Sequence, residues 1–121
     1  MHNYKELKIW NEGMSLAKKV YEATAVFPNN EKFGLTSQIN RSVVSIPSNI
    51  AEGAGRSSDK EFVYFLSIAL GSAFELETQV ILANTFGFIP DQQFKGIAEQ
   101  LVKVQKMING FRTSILKKSS I

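Results

Sequence analysis

Apolar side chains recur at helical spacing along almost the whole chain. Leu7, Trp10, Met14, Ala17 and Tyr21 are separated by steps of 3, 4, 3 and 4, the signature of one face of an amphipathic helix. Asn3 followed by Glu6 reads as a capping box, so a first helix is expected from Asn3 to about Val26, where Phe27-Pro28 ends it. "PNNEKFG" at 28–34 reads as a connection, with a second helix from about Leu35 to Ala54. Ser58 with Glu61 forms another capping box opening a third helix, which Gly87 and Pro90 stop. A fourth helix starts at Asp91 and runs to about Lys117, with Phe94, Ile97, Leu101, Val104, Ile108, Phe111 and Ile115 as its seam. No stretch alternates with period 2 for long enough to argue a strand. The expected fold is all-α: one up-down antiparallel four-helix bundle over residues 1–121, with helices of about 30–42 Å. The ends, His2 and the tail "KKSSI", are expected to fray.

The second helix carries two seams. Ile39, Val43, Ile46 and Ile50 face the core, and beside them Gln38, Ser42, Ser45, Asn49 and Glu52 stack as a stripe of mostly small polar groups. Short amides and hydroxyls permit close helix approach, so the stripe is expected against another helix, in this chain or in a neighbouring subunit. Pro47 frees the carbonyl of Val43, and a nearby Ser or Asn is expected to serve it. On the third helix Gly71 and Ser72 remove bulk, and Glu75, within so apolar a segment, calls for a partner such as Arg41 or Arg56 if it is buried, the alternative being an exposed Glu75.

Charge changes this picture at one end. Residues 1–99 carry 9 basic and 11 acidic groups, whereas residues 100–121 carry 5 basic and no acidic ones. Lys103, Lys106, Arg112, Lys117 and Lys118 are expected to share an outer face of the fourth helix and to contact nucleic-acid phosphates. No aromatic residues interleave them, which favours backbone contact over base stacking. The alternative is a solvated face whose lysines complement the helix dipole.

Candidate catalytic chemistry is sparse. The chain has no cysteine, and its one histidine is His2, which removes thiolate and histidine mechanisms and the Glu-x-x-His pairs of di-metal bundles. Ser-x-x-Lys occurs three times, at Ser15/Lys18, Ser57/Lys60 and Ser114/Lys117, without companion motifs. Glu75 and Glu77 are two apart and point to different helix faces, and "GAG" at 53–55 lacks the strand and Lys of a phosphate loop. The expectation is a non-enzyme with no metal or cofactor. No apolar run approaches the roughly 20 residues of a membrane span, and no apolar leader opens the chain; a cytoplasmic protein without a membrane partner is expected.

The segment "LTSQINRSVVSIPSNIAEGAGRSSDKEFVYFLSIALGSAFELETQ" closely resembles the signature of the small helical-bundle family encoded within intervening sequences of bacterial 23S rRNA genes. That family is related in fold to the accessory variability protein of diversity-generating retroelements. The resemblance implies a bundle assembled into a ring, most simply a homopentamer, with a basic surface suited to RNA or DNA. It also implies a reverse-transcriptase-like or other nucleic-acid enzyme as candidate protein partner. Gln38, Arg41, Ser45, Asn49, Glu52, Gly53, Gly55 and Arg56 match its second-helix signature, and Gly71, Ser72, Glu75 and Glu77 that of the third. Two functions follow as expectations: an oligomeric bundle holding nucleic-acid backbones, or an oligomeric scaffold that binds protein only.

Overall fold

A computed structural model describes residues 2–119, without the side chain of Ser119. A 3-10 turn at Tyr4–Glu6 leads into α1 (Lys8–Thr24), and a second such turn at Asn29–Glu31 leads into α2 (Leu35–Ala54). The chain continues as α3 (Asp59–Thr85) and α4 (Asp91–Ser119), so the described residues form four long helices and no strand. Each helix packs on its neighbour in sequence and α4 closes on α1. Bonds from Ser42 to Glu75 and from Ser45 to Ser72 pair ascending with descending positions, as antiparallel neighbours require.

The second and fourth helices keep the expected core faces. Ile39, Val43, Ile46 and Ile50 of α2 are fully buried, as is the α4 seam from Ile97 through Leu101, Val104 and Ile108. The first helix differs. Asn3 caps only the short 3-10 turn, its side chain accepting from Lys5 N, and Leu7 is extended, so α1 begins at Lys8 and ends at Thr24. Its buried residues are Ile9, Gly13, Leu16, Val20, Ala23 and Thr24, a stripe one position round from the expected seam, while Met14 and Tyr21 are 45% and 47% exposed. Gly13 explains the rotation. A Cβ there would lie 3.4 Å from Pro47 Cβ and Cδ, so α1 meets α2 closely at a residue that hydropathy alone does not mark as core.

Pro47 is buried and α2 stays helical through it. The Asn49 amide donates to the Ser45 carbonyl and hydroxyl at 2.8 and 2.9 Å, so it serves Ser45 and not the carbonyl of Val43. Ser42 and Ser45, in the middle of the polar stripe, face α3 inside the chain, whereas Gln38 and Glu52 at its ends are exposed. Ser42 donates to Glu75 at 2.8 Å, and the Ser45 and Ser72 hydroxyls bond at 2.8 Å. Glu75 is exposed, the alternative to a buried pair, and its partner is a hydroxyl rather than an arginine. Arg56 pairs with Glu52 at 3.1 Å and lies 3.8 Å from Glu61, with its guanidinium over the Phe65 ring.

The connections show why the helices end where they do. The Ser58 hydroxyl accepts from Glu61 N and donates to the Glu61 carboxylate, fixing the start of α3. Gly87 at φ 81° ends it: Phe88 N donates to Ala83 O and Gly87 N to Asn84 O, the two bonds of a Schellman turn. Aromatic rings close the bundle ends, Phe62 against Phe111 and Phe27 against Phe88. His2 is tied down rather than frayed, because the bundle end offers a carbonyl and a ring: His2 N donates to Ala54 O at 2.8 Å and its imidazole packs on Phe62. The helix continues through Lys117-Lys118 to Ser119; the remainder of the tail falls outside the described residues.

By length and composition α3 is long and apolar enough to cross a membrane. That departs from the reading of the uninterrupted apolar runs. Its apolar residues serve two faces, the core and an outward side carrying Tyr64, Phe74, Leu82 and Phe86.

At Gly53 a Cβ would fall 2.7 Å from Phe65 Cβ and 2.9 Å from Phe62 Cδ1, with the Phe62 carbonyl at 3.3 Å, whereas at Gly110 nothing lies within 4 Å. Gly53→Ala is expected to cost about 1–3 kcal/mol through overpacking, and Gly110→Ala to gain up to about 1 kcal/mol of helix propensity. Urea unfolding of both variants checks this, and equal effects at the two glycines would contradict the packing.

Candidate nucleic-acid interface

Charge divides between the two layers of the bundle. Helices α1 and α4 together carry nine Lys or Arg and four Asp or Glu, while α2 and α3 carry two basic and five acidic groups. The five basic residues singled out on α4 do not form one patch. Lys106 and Lys117 are exposed on the outward side. Arg112 turns toward α3, donating to the Ser67 hydroxyl at 3.1 Å and to Asn109 Oδ1 at 2.7 Å, with its Nε buried and unpartnered. Lys103 turns the other way, toward α1, and lies 3.0 Å from Glu12. Lys118 is exposed on the last turn. Arg112 departs because it follows Lys106 by six residues, which turns it about 240° round the helix, whereas Lys103, Lys106, Lys117 and Lys118 stay within about 120° of one another.

Lysines of α1 join α4 in a way the sequence reading missed. Lys8, Lys18 and Lys19 are exposed; Lys8 and Lys19 border the α1–α4 groove beside Lys103. Their acidic neighbours on α1 hide this surface from a count along the chain. The available signal was the spacing of Lys8, Glu12, Ser15 and Lys19, which places all four on one side of α1.

At the centre of the groove Glu12 bridges the helices. Its Oε1 accepts from Lys103 Nζ at 3.0 Å and its Oε2 from Gln100 Nε2 at 3.3 Å; the same amide also reaches the Ser15 hydroxyl at 3.2 Å. Hydrogen bonds from Lys103 and then Gln100 hold the Glu12 carboxyl below its ordinary value, against a partial desolvation that raises it, and the charges of Lys103 and Lys19 add to the lowering. The signature residues sit elsewhere. Ser45, Asn49, Ser72 and Glu75 lie along the α2–α3 seam, Gly53 and Gly55 at its turn, and Glu52 and Arg56 in the ion pairs beside it. Gln38, Arg41 and Gly71 are exposed. Glu77 accepts from Gln105 of α4, while Glu75 faces α2, so the two carboxylates diverge.

Because the folded Glu12 titrates below the unfolded group, its bridge contributes stability above the ordinary carboxylate range and loses it as pH falls through the lowered value. The stability gap between wild type and Glu12→Gln is expected to be about 0.2–1 kcal/mol at neutral pH, as for solvent-screened pairs, and to close as pH falls below the ordinary carboxylate range and through the lowered Glu12 value. Urea midpoints across pH check this; a gap that widens on acidification would contradict it.

Known proteins bear on this arrangement at the level of family and fold. No curated protein matches the chain. A crystal structure of a protein of unknown function from the S23 ribosomal protein family of Bacteroides thetaiotaomicron superposes with TM-score 0.80 at 25% identity, covering 87% of this chain and 95% of that one. The family described as 23S rRNA-intervening sequence protein matches residues 5–110, the stretch that holds the α2–α3 signature and most of the basic groove. The chain belongs to the 23S rRNA-intervening sequence protein family.

Proposed function

We propose that this protein is a non-enzymatic, oligomeric helical bundle that holds the phosphate backbone of structured RNA or DNA on its α1–α4 layer. The observation that carries the reading is the segregation of charge: nine basic groups on α1 and α4 against two on α2 and α3. Phosphate contacts need clustered cations on an accessible surface and no particular base-reading geometry. The lysines of this layer supply that. Of the cation–aromatic contacts, Lys32 over Phe33 and Arg56 over Phe65 lie away from this layer, and Lys5 over Tyr4 stands in the turn before α1.

Self-association has separate support. The outward side of α3 exposes Tyr64 by 62%, Phe74 by 52% and Phe86 by 60%. Around the bundle a groove between α1 and α2 is lined by Trp10, Met14, Val44, Pro47 and Ala51. Two different apolar surfaces on one chain suit a head-to-tail contact, and such contacts close into rings. Five subunits is the number that the family resemblance suggests. A ring would repeat the basic layer around its circumference and multiply weak phosphate contacts. A reverse-transcriptase-like or similar enzyme is the protein partner we propose for the same assembly. The second reading, a protein-only scaffold, draws on the same exposed α3 face, which a heterologous protein could cover instead.

Affinity for an RNA duplex measured over a salt series separates the two readings. Backbone contact predicts a linear fall of log affinity with log salt, with a slope of about −0.9 for each phosphate neutralised; absence of binding at ~50 mM salt would leave the scaffold. Solution mass by light scattering is expected to show a multiple of the 13.5 kDa chain, and a monomer at micromolar concentration would overturn the oligomeric part.

A further inference from the structure

We propose that the groove between α1 and α4 is a phosphodiester-binding site and that Glu12 is a competitor built into it, occupying the donors that an incoming phosphate needs. The inference rests on the nucleic-acid reading above and names the place on the basic layer where a backbone phosphate is held.

The groove exists because α1 and α4 are the neighbouring helices that meet least closely. The Glu12–Lys103 bridge crosses it, with a hollow on each side. One, of about 400 Å³, is bordered by Lys19, Gly96, Glu99 and Gln100; the other, of about 420 Å³, by Lys8, Asn11 and Met107. Either has room for a phosphodiester group. Nothing lies within 4 Å of the position a Gly96 Cβ would take, so the α4 wall of the first hollow stays low.

The donors are those of an anion site. Lys8, Lys19 and Lys103 bring three ammonium groups to the two hollows, and the Gln100 amide and Ser15 hydroxyl stand between the helices. The carboxylate of Glu12 already collects the best-placed of them, Lys103 on one oxygen and Gln100 on the other. An ionised carboxylate is an acceptor with the same appetite for ammonium and amide donors as a phosphate oxygen. The bridge is weakly held. The Lys103 side chain is 61% exposed and that of Glu12 26%, so water screens the pair and a side-chain rotation of Glu12 releases both donors without moving a helix. Glu99 borders the same groove without a hydrogen bond to Lys103 or Gln100, which makes it the control for net charge.

The test compares Glu12→Gln, Glu99→Gln and Lys103→Gln for binding to a short RNA duplex at ~50 mM salt, with thermal unfolding confirming that each variant is folded. Removing the competitor is expected to tighten binding by about three- to tenfold in Glu12→Gln, against about twofold or less in Glu99→Gln, where an equal charge is removed beside the groove but no donor is freed. Lys103→Gln is expected to weaken binding and to flatten the salt slope by about one phosphate. Equal gains in the two glutamate variants, or weaker binding in Glu12→Gln, would overturn the competitor role while leaving nucleic-acid binding intact. Undiminished binding in Lys103→Gln would overturn the groove as the site. Failure of wild type and variants alike to bind would instead remove the nucleic-acid reading, and the site with it.

Discussion

The close approach of α2 and α3 is the constraint on which the remaining structure depends. Gly53 lets the Phe62 ring and carbonyl and the Phe65 Cβ press against the last turn of α2, and small polar side chains follow the seam upward from there. Ser45 and Ser72 share a hydrogen bond, Ser42 donates to Glu75, and Asn49 bonds back to Ser45. Larger residues would hold the axes apart, and apolar ones would leave the Glu75 carboxylate without its hydroxyl. A tight α2–α3 pair fixes the bundle's geometry, and the looser α1–α4 pair closes it.

That asymmetry has consequences for both faces. With α2 and α3 so near, α3 gives up one side to the core and one to α2, and on its remaining outward side Tyr64, Phe74 and Leu82 stay uncovered among exposed polar residues. The α1–α4 seam keeps an open groove in which polar and charged side chains meet across the gap, Glu12 with Lys103 and Gln100. The acidic groups belong largely to the tight pair and the basic groups to the loose one. One division of the helices thus orders packing, exposed apolar surface and charge together.

Much of the architecture was legible in the sequence because its signals were local. The α2 limits at Leu35 and Ala54, the Ser58 cap, the Gly87 stop and the α4 seam all rest on neighbouring residues, and the structure reproduces them. The face of α1 was misread because two stripes of similar spacing compete there, and the choice depends on Gly13 meeting Pro47, a contact 34 positions apart in the chain. The same limit applies to polar partners: composition called for an arginine beside Glu75, but tertiary packing supplied a serine. On the basic surface, the sequence pointed to α4 and missed the α1 half, since lysines interleaved with Glu12 and Glu22 give no net charge run.

The central claim is that the α1–α4 layer, and not the α2–α3 layer, receives a phosphate backbone. Lysine reactivity toward an acylating reagent, read residue by residue by mass spectrometry with and without bound RNA duplex, tests it most directly. The account predicts protection of Lys8, Lys19, Lys103 and Lys106 by the duplex, with Lys60 at the start of α3 and Lys32 before α2 as reactive as in the free protein. Protection centred on Lys60 and Lys32, with the α1 and α4 lysines unchanged, would contradict it.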